Sequence, residues 1–571
     1  MRLSGAFQFA APLFFCTYAA LAHESTKSAF EASLDPREAK VLAAAASLGE
    51  ATRPSPASSN TAELTVRLIE AETKLPLAGI VRITRANGTA VALPGLVDRG
   101  LKLRANHPAK DWFVVPGPVV LSLPQEELQV AAFAGLETEL ASRTIDLRGQ
   151  SGVELVLPLR RFASPAKTGW HSGNTHLHLS GMTRPQAEEY LRVIPRGDGL
   201  ELVFVSYLSR AEIDRDYVSN GFSSEDLQAL SGGGVTFGNG EEHRHNFGTF
   251  GKGYGHVMFL NIRRLVQPVS IGSGIMGGGL DFPPLRRGIE QARQEGATVI
   301  WCHGASGFED VPDSLAGLLQ AHNIFDGGSQ SSYSDSFYRF LNVGLKVPFS
   351  TGTDWFIYDF SRVYARVDQP LTVPSWLQAL VAGRTFITNG PFLELRAGPH
   401  EIGDTVALAA PGHISLNGRA TGRGDFRRIE LIQDGNIVCR AMSHAVGGHF
   451  EAELEFSLEV NESGWVALRV GGGSLDTGGS LVIPSGIPFH GSGKDRNEMG
   501  EALFGHTSPI YLEIAGRPVF RRADAQELIA DLETSLRTIQ TKAQFADEPQ
   551  RNEVLGAYRE GIAMLRRRLQ E

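Results

Sequence analysis

Hydrophobic and polar residues follow different rhythms in successive stretches of the chain. Over residues 61–160 apolar and polar positions alternate in short runs: Leu64–Leu68, Ile80–Ile83, Val119–Leu123 and Val153–Leu157. A period of two belongs to a strand with one buried face, and turn pairs such as Asn87-Gly88 separate the runs, so this stretch is predicted to be a small N-terminal β-sandwich. Over residues 168–399 the pattern changes. Continuous apolar runs at Leu202–Leu208, Val257–Leu260, Thr298–Cys302 and Val347–Ser350 alternate with helical periods at Pro283–Glu295, Val311–Gln320 and Pro374–Ala382. That alternation predicts an α/β layer or barrel with parallel strands. Residues 400–520 return to strand patterning, as in Phe426–Ile432 and Trp465–Val470, and form a second, C-terminal β-domain. Residues 521–571 are a helical tail, with Leu528, Leu532, Leu536 and Ile539 at helical spacing; it is either a packed hairpin or a surface for a homo-oligomer.

Composition and the N-terminus add a compartment. A chain of 571 residues is too long for one ordinary core. The formal charge of −9 and the lack of a long basic run argue against nucleic acid as partner. Arg2, the apolar run Ala6–Ala22 and the closing Ala20-Leu21-Ala22 have the layout of a secretory signal peptide over residues 1–22, leaving His23 as the new N-terminus. The expected location is therefore the periplasm or the extracellular space, with no membrane contact once the signal is removed. Residues 23–60 read as a helix and a linker. After cleavage Cys302 and Cys439 remain; they fall in different predicted domains and are expected to be two buried thiols.

The candidate chemistry lies in the middle region. His176 and His178 flank Leu177, and on a strand residues i and i+2 leave the same face, so both rings can reach one cation. Glu242 closes Gly240-Glu241-Glu242, His256 heads Val257–Leu260, His303 follows Val299–Cys302, and Asp354 closes Gly352-Thr353-Asp354. Each candidate sits at one end of an apolar run, and strand ends meet around one mouth in a barrel. Four histidines and two carboxylates suit zinc or manganese.

In that order these motifs resemble the PHP (polymerase and histidinol phosphatase) superfamily, and more narrowly the CehA/McbA-type metallohydrolases. Gly169–Asn174, Ala382–Pro391 and His506–Tyr511 carry the resemblance further along the chain. It implies a distorted (β/α)7 barrel flanked by N- and C-terminal β-sandwich domains. It also implies two divalent ions, one held by His176, His178, Glu242 and Asp354, the other by Glu242, His256 and His303. Relatives with a third ion use residues that are absent here, where Tyr207-Leu208 and Trp355-Phe356 stand instead.

The chemistry implied is hydrolysis of an ester, amide or carbamate by a hydroxide shared between two cations. His243, Arg244, His245 and Lys252 are candidates for stabilising the oxyanion or protonating the leaving group. Tyr207, Lys252 and Trp355 are candidates for lining the pocket of a small-molecule substrate. A PHP-type phosphoesterase and an exported binding protein that keeps metal without turnover are the alternatives.

Overall fold

The computed structural model describes residues 61–101, 107–210, 212–246, 253–273, 279–303, 307–326, 329–330, 333, 337–471 and 496–571. The expected signal peptide (1–22), the helix and linker (23–60) and Lys252 lie outside the described residues.

The chain is a mixed α/β protein. In the N-terminal region Thr61–Glu70 pairs antiparallel with Val119–Pro124 and parallel with Gly152–Leu159. Gly79–Arg85 sits between Phe113–Val115 and Glu127–Phe133 in a second sheet. Alternate residues of both sheets, Leu64, Val66, Ile83, Val130 and Leu157 among them, share one core, as the period of two requires.

The middle region is one hydrogen-bonded ladder. Leu202–Tyr207 runs parallel to Trp170–His178 on one side and to Thr236–His245 on the other. Gly255–Leu260 then runs antiparallel to both of its neighbours, Thr236–His245 and Thr298–Cys302. Ala321–Asn323 and Phe349–Ser350 continue in parallel. The short strand Asp354–Trp355 returns to pair with Leu177 and His178. The expectation of parallel strands is corrected at Gly255–Leu260, and also at Arg362–Arg366, which runs antiparallel to Trp170–His178. The first reversal has a direct consequence: His256, at the start of its strand, lies at the same rim as residues at the ends of its neighbours.

Helices close the outer face. Arg184–Asp198 begins at Thr183, which forms a capping box with Gln186, and carries Pro185 in its first turn, where a missing N–H costs nothing. It buries Tyr190, Leu191 and Ile194 against Leu177, Val203 and Val205. Leu285–Gln294 and Val373–Val381 match their predicted helices to within two residues at each end.

The C-terminal β-region is not separated by hydrogen bonding from the middle one. Thr385–Thr388 pairs with Gly505–Thr507, so strands on either side of the expected boundary at 399/400 share a ladder. Phe392–Ala397, placed before that boundary, pairs with Gly412–Gly422 in the C-terminal sheet. The segment around His506 is structural cement: Tyr338 Oη lies 2.7 Å from His506 Nε2, and Ser508 Oγ accepts from the Phe349 amide at 2.9 Å. Burial pushes the His506 pKa down to about 3, so the ring is neutral. The tail is a packed hairpin of helices Arg522–Lys542 and Glu548–Arg568, and Leu528, Leu532, Ile539, Val554 and Leu565 join the main core. Cys302 is buried and Cys439 only half-buried, both as free thiols. Among the described residues no helix is long and apolar enough to cross a membrane.

Candidate metal centre

The ladder brings His176, His178, Glu242, His256, His303 and Asp354 to one rim, and their potential ligand atoms fall into overlapping groups around Glu242. His176 and His178 leave the same face of their strand, as alternation demands, with their Nε2 atoms 2.9 Å apart. Asp354 Oδ1 lies 3.4 Å from His176 Nε2 and 3.6 Å from His178 Nε2. Its backbone is held at φ 58°, a left-handed conformation uncommon for aspartate.

Glu242 is buried and its two oxygens face different neighbours. Oε2 is 3.1 Å from His178 Nε2 and 3.7 Å from His176 Nε2. Oε1 is 3.4 Å from His256 Nδ1 and 3.7 Å from His303 Nε2. Asp354 divides in the same sense, with Oδ2 at 4.0 Å from His303 Nε2.

The donor set fits metal by two tests. A tetrahedral ion with bonds of about 2.0–2.1 Å has ligand atoms about 3.3 Å apart, and the separations around Glu242 bracket that value. The second test is the state of the rings. His176 Nδ1 lies 2.8 Å from Asp326 Oδ2, and His178 Nδ1 lies 3.0 Å from the Ser206 carbonyl, so each Nδ1 carries the proton and donates. With both rings neutral the two Nε2 atoms turn lone pairs toward each other across 2.9 Å, an arrangement that needs either a proton shared between them or a cation in its place.

The electrostatics agree. Burial opposes a charge on His176, yet Asp326 and Asp354 hold its pKa well above the ordinary histidine value. His303 is raised in the same way against burial, by Glu242, Asp326 and Asp354. Burial would raise Glu242, but Arg244 and the three nearby rings hold its carboxyl well below the ordinary range. The carboxylates of the cluster favour positive charge among these rings.

Asp326 is the residue that sequence reasoning missed. It is fully buried beyond the strand Ala321–Asn323, accepts from Asn323 Nδ2 at 2.9 Å, and lies 3.5 Å from His303 Nδ1 as well as 2.8 Å from His176. The only signal available was Asn323-Ile324-Phe325-Asp326, a polar residue at each end of an apolar pair after a short strand.

Strand alternation sorts the other candidates. Arg244 shares the face of Glu242, with Nη1 3.5 Å from Glu242 Oε1. His243 and His245 leave the opposite face and are corrected here as structural residues. His243 bonds Glu241 through Nδ1 at 2.9 Å, stacks on Phe259, and packs where Gly288 leaves room. His245 stacks on Tyr254 with ring centroids 3.9 Å apart and faces Asp281. Glu241 accepts from the Val266 amide at 2.7 Å on that same outer side.

Tyr207 is in register with Glu241, not Glu242, so it leaves the outer face too. Phe356 packs on Tyr190 beneath the helix Arg184–Asp198. Of the aromatic residues expected along the pocket, Trp355 lies beside a ligand, with its ring 5.3 Å from that of His178. Tyr217 meets Trp355 edge-on at 5.4 Å, and the Arg210 guanidinium lies 5.2 Å over the Trp355 ring. Lys252 lies outside the described residues. His171 pairs with Glu201 at 2.8 Å, and its carbonyl accepts from Trp376 Nε1, which makes it part of the frame.

Compared with protein-family models, with curated proteins and with solved structures, the chain finds no match.

Proposed function

We propose that the chain is an exported metal-dependent hydrolase of the PHP type, its distorted barrel holding two divalent ions at the rim and acting on an ester, amide or carbamate. The observation that carries the reading is the division of Glu242, one oxygen turned to His176 and His178 and the other to His256 and His303. A carboxylate arranged in this way suits a bridge between two ions. Bound there, zinc or manganese supplies water activation near neutral pH and polarisation of the scissile carbonyl.

The chain's own residues supply the remainder. Asp326 and the Ser206 carbonyl fix the tautomers of His176 and His178 so that Nε2 is available as a ligand. Trp355 and Tyr217 give the side next to His178 an apolar, aromatic surface that suits an aryl or alkyl group on the substrate. Arg244 is the cation that faces the carboxylate bridge.

The PHP-type phosphoesterase is the second reading, favoured by that same buried guanidinium, since phosphate esters need more positive charge than carbonyl substrates. The test is metal content by mass spectrometry of the protein purified from the exported fraction, with rates on matched aryl ester, aryl carbamate and aryl phosphate substrates. Two ions per chain and faster carbonyl turnover are expected. Metal-free protein of full stability, or an aryl phosphate outrunning both carbonyl substrates, would overturn the reading.

A further inference from the structure

We infer that Arg244 is the anion contact of this centre, a catalytic residue that takes a negatively charged oxygen of the substrate. The inference rests on the proposed hydrolase reading and goes further by assigning the group that meets the developing oxyanion. Arg244 is 3% exposed, and a guanidinium buried to that degree ordinarily finds a partner for every N–H it can. Here its Nε has no hydrogen-bond partner, and its nearest carboxylate, Glu242 Oε1, is 3.5 Å from Nη1, at the limit of a hydrogen bond.

The amide of Asn246 lies between Arg244 and His256, and its oxygen can accept from only one of them at a time. If His256 offers Nδ1 to the Glu242 side, its proton is on Nε2, and Asn246 Oδ1 accepts it at 3.1 Å. With the amide turned over, its oxygen instead accepts from Arg244 Nη2 at 3.2 Å, and its NH2 donates to an unprotonated His256 Nε2 and to the His245 carbonyl, each at 3.1 Å. Use of His256 as a ligand through Nδ1, with its proton on Nε2, therefore takes the Asn246 oxygen away from Arg244. The guanidinium is left with a donor to spare beside Glu242, the residue shared by both halves of the centre.

The ligand class is an oxyanion. Three carboxylates, Glu242, Asp326 and Asp354, face one guanidinium and two divalent ions, so the loaded centre keeps a positive excess. A carbonyl substrate is neutral when it binds and gains a negative oxygen as water adds. A donor aimed at that oxygen acts mainly in the transition state. Arg244 is thus expected to govern kcat far more than KM.

The experiment uses the full chain loaded with zinc or manganese, with variants Arg244→Gln and Arg244→Lys. The probe is methyl phenylphosphonate, a stable tetrahedral monoanion shaped like the adduct of water and an aryl ester, with binding measured by calorimetry. Metal content is measured on the same samples. Arg244→Gln should keep its metal and bind the phosphonate about 10- to 100-fold more weakly, the value of one lost charge-assisted hydrogen bond. Its kcat should fall about 100-fold with KM little changed, and Arg244→Lys should recover part of both losses. A metal-replete Arg244→Gln protein that binds the phosphonate as tightly as the parent would overturn the assignment. Parent protein that holds no metal but still loses phosphonate binding on the Gln change would sink the metal reading and keep the anion contact. Absence of phosphonate binding in the parent overturns the anion contact outright.

Discussion

Replacing Asp326 by Asn tests whether the buried carboxylate behind the centre works through the metal ligands. The change keeps the shape of the side chain and removes its charge. Oδ2 receives the His176 Nδ1 proton at 2.8 Å and an Asn323 amide proton at 2.9 Å, and it faces His303 Nδ1 at 3.5 Å. A carboxamide whose oxygen takes the Oδ2 position can keep both bonds, but only as neutral ones, without the negative charge that the carboxylate holds against His176 and His303. A buried charge-assisted hydrogen bond is worth about 1.5–3 kcal/mol. Loss of a partner behind a metal-bound histidine typically costs about 10- to 100-fold in affinity, which is about 1.4–2.7 kcal/mol, so the two figures agree. Asp326→Asn should therefore weaken zinc binding by about 10- to 100-fold, measured by competition with a chromophoric chelator. A second readout follows from charge. Binding requires His176 and His303 to shed their protons, and both hold them above the ordinary histidine range, so zinc affinity of the parent should still be rising with pH above about 6.5. Without Asp326 both rings lose protons more easily, and that rise should move to lower pH. Unchanged affinity with an unchanged pH profile would refute the argument, and Asp326 would then be a packing residue.

Arg99→Met should destabilise the chain by about 3–5 kcal/mol in urea unfolding, because it strands the buried Asp198 that Arg99 meets at 2.7 Å. The same change should speed hydrogen exchange over 355–361, since Arg99 also donates to the carbonyls of Ile357 and Asp359. Glu501→Gln should stabilise the protein at pH 8 by about 1–2 kcal/mol and do little at pH 4. Burial and the neighbouring Asp359 push the Glu501 pKa up to about 8, so between its unfolded value of 4.5 and 8 only the folded state holds the proton and stability falls as pH rises; a parent melting temperature flat across that window would count against this. His243→Asn should lower the melting temperature yet leave metal content and kcat/KM as in the parent; loss of metal would return His243 to the centre.

Much of the fold was legible because its signals are local. Thr298–Cys302 is bounded as predicted, and the alternation at Leu64–Leu68 and Val153–Leu157 predicted both the strands and their buried faces. What failed is what a single strand does not encode. The run Val257–Leu260 reads the same in either direction, so its antiparallel course was invisible, although His256 at its head was a clue. A ligand at the start of a strand can join ligands at strand ends only if that strand runs the other way. The break at 399/400 was misplaced for a similar reason: Phe392–Ala397 has the pattern of a strand, and nothing in it says which sheet it enters.

The site shows where reading one residue at a time stops and reading alternation begins. Glu241-Glu242-His243-Arg244-His245 offers five polar side chains in a row, and a strand must send them to two faces. Once Glu242 is fixed on the inner face, Arg244 follows it and His243 and His245 cannot, so the list of candidates shortens with no further information. The same logic applied to Leu202–Tyr207 puts Ser206, in register with Gly240, on the inside and Tyr207 outside. Asp326 and Arg99 lie beyond such logic. One reaches His176 from 150 positions away, and the other pins the backbone after Asp354 from 258 positions away. That second contact gives the N-terminal sheets a role their sequence did not suggest. Arg99 extends from the N-terminal sheets to hold Ile357 and Asp359, and Tyr190 accepts from the Ile357 amide at 2.7 Å. Asp354 sits in a left-handed conformation with Trp355 next to it, and a short strand of two residues cannot hold such a turn unaided. The N-terminal sheets and the helix Arg184–Asp198 together fix the loop that places Asp354, a carboxylate of the candidate metal centre, and Trp355 beside it.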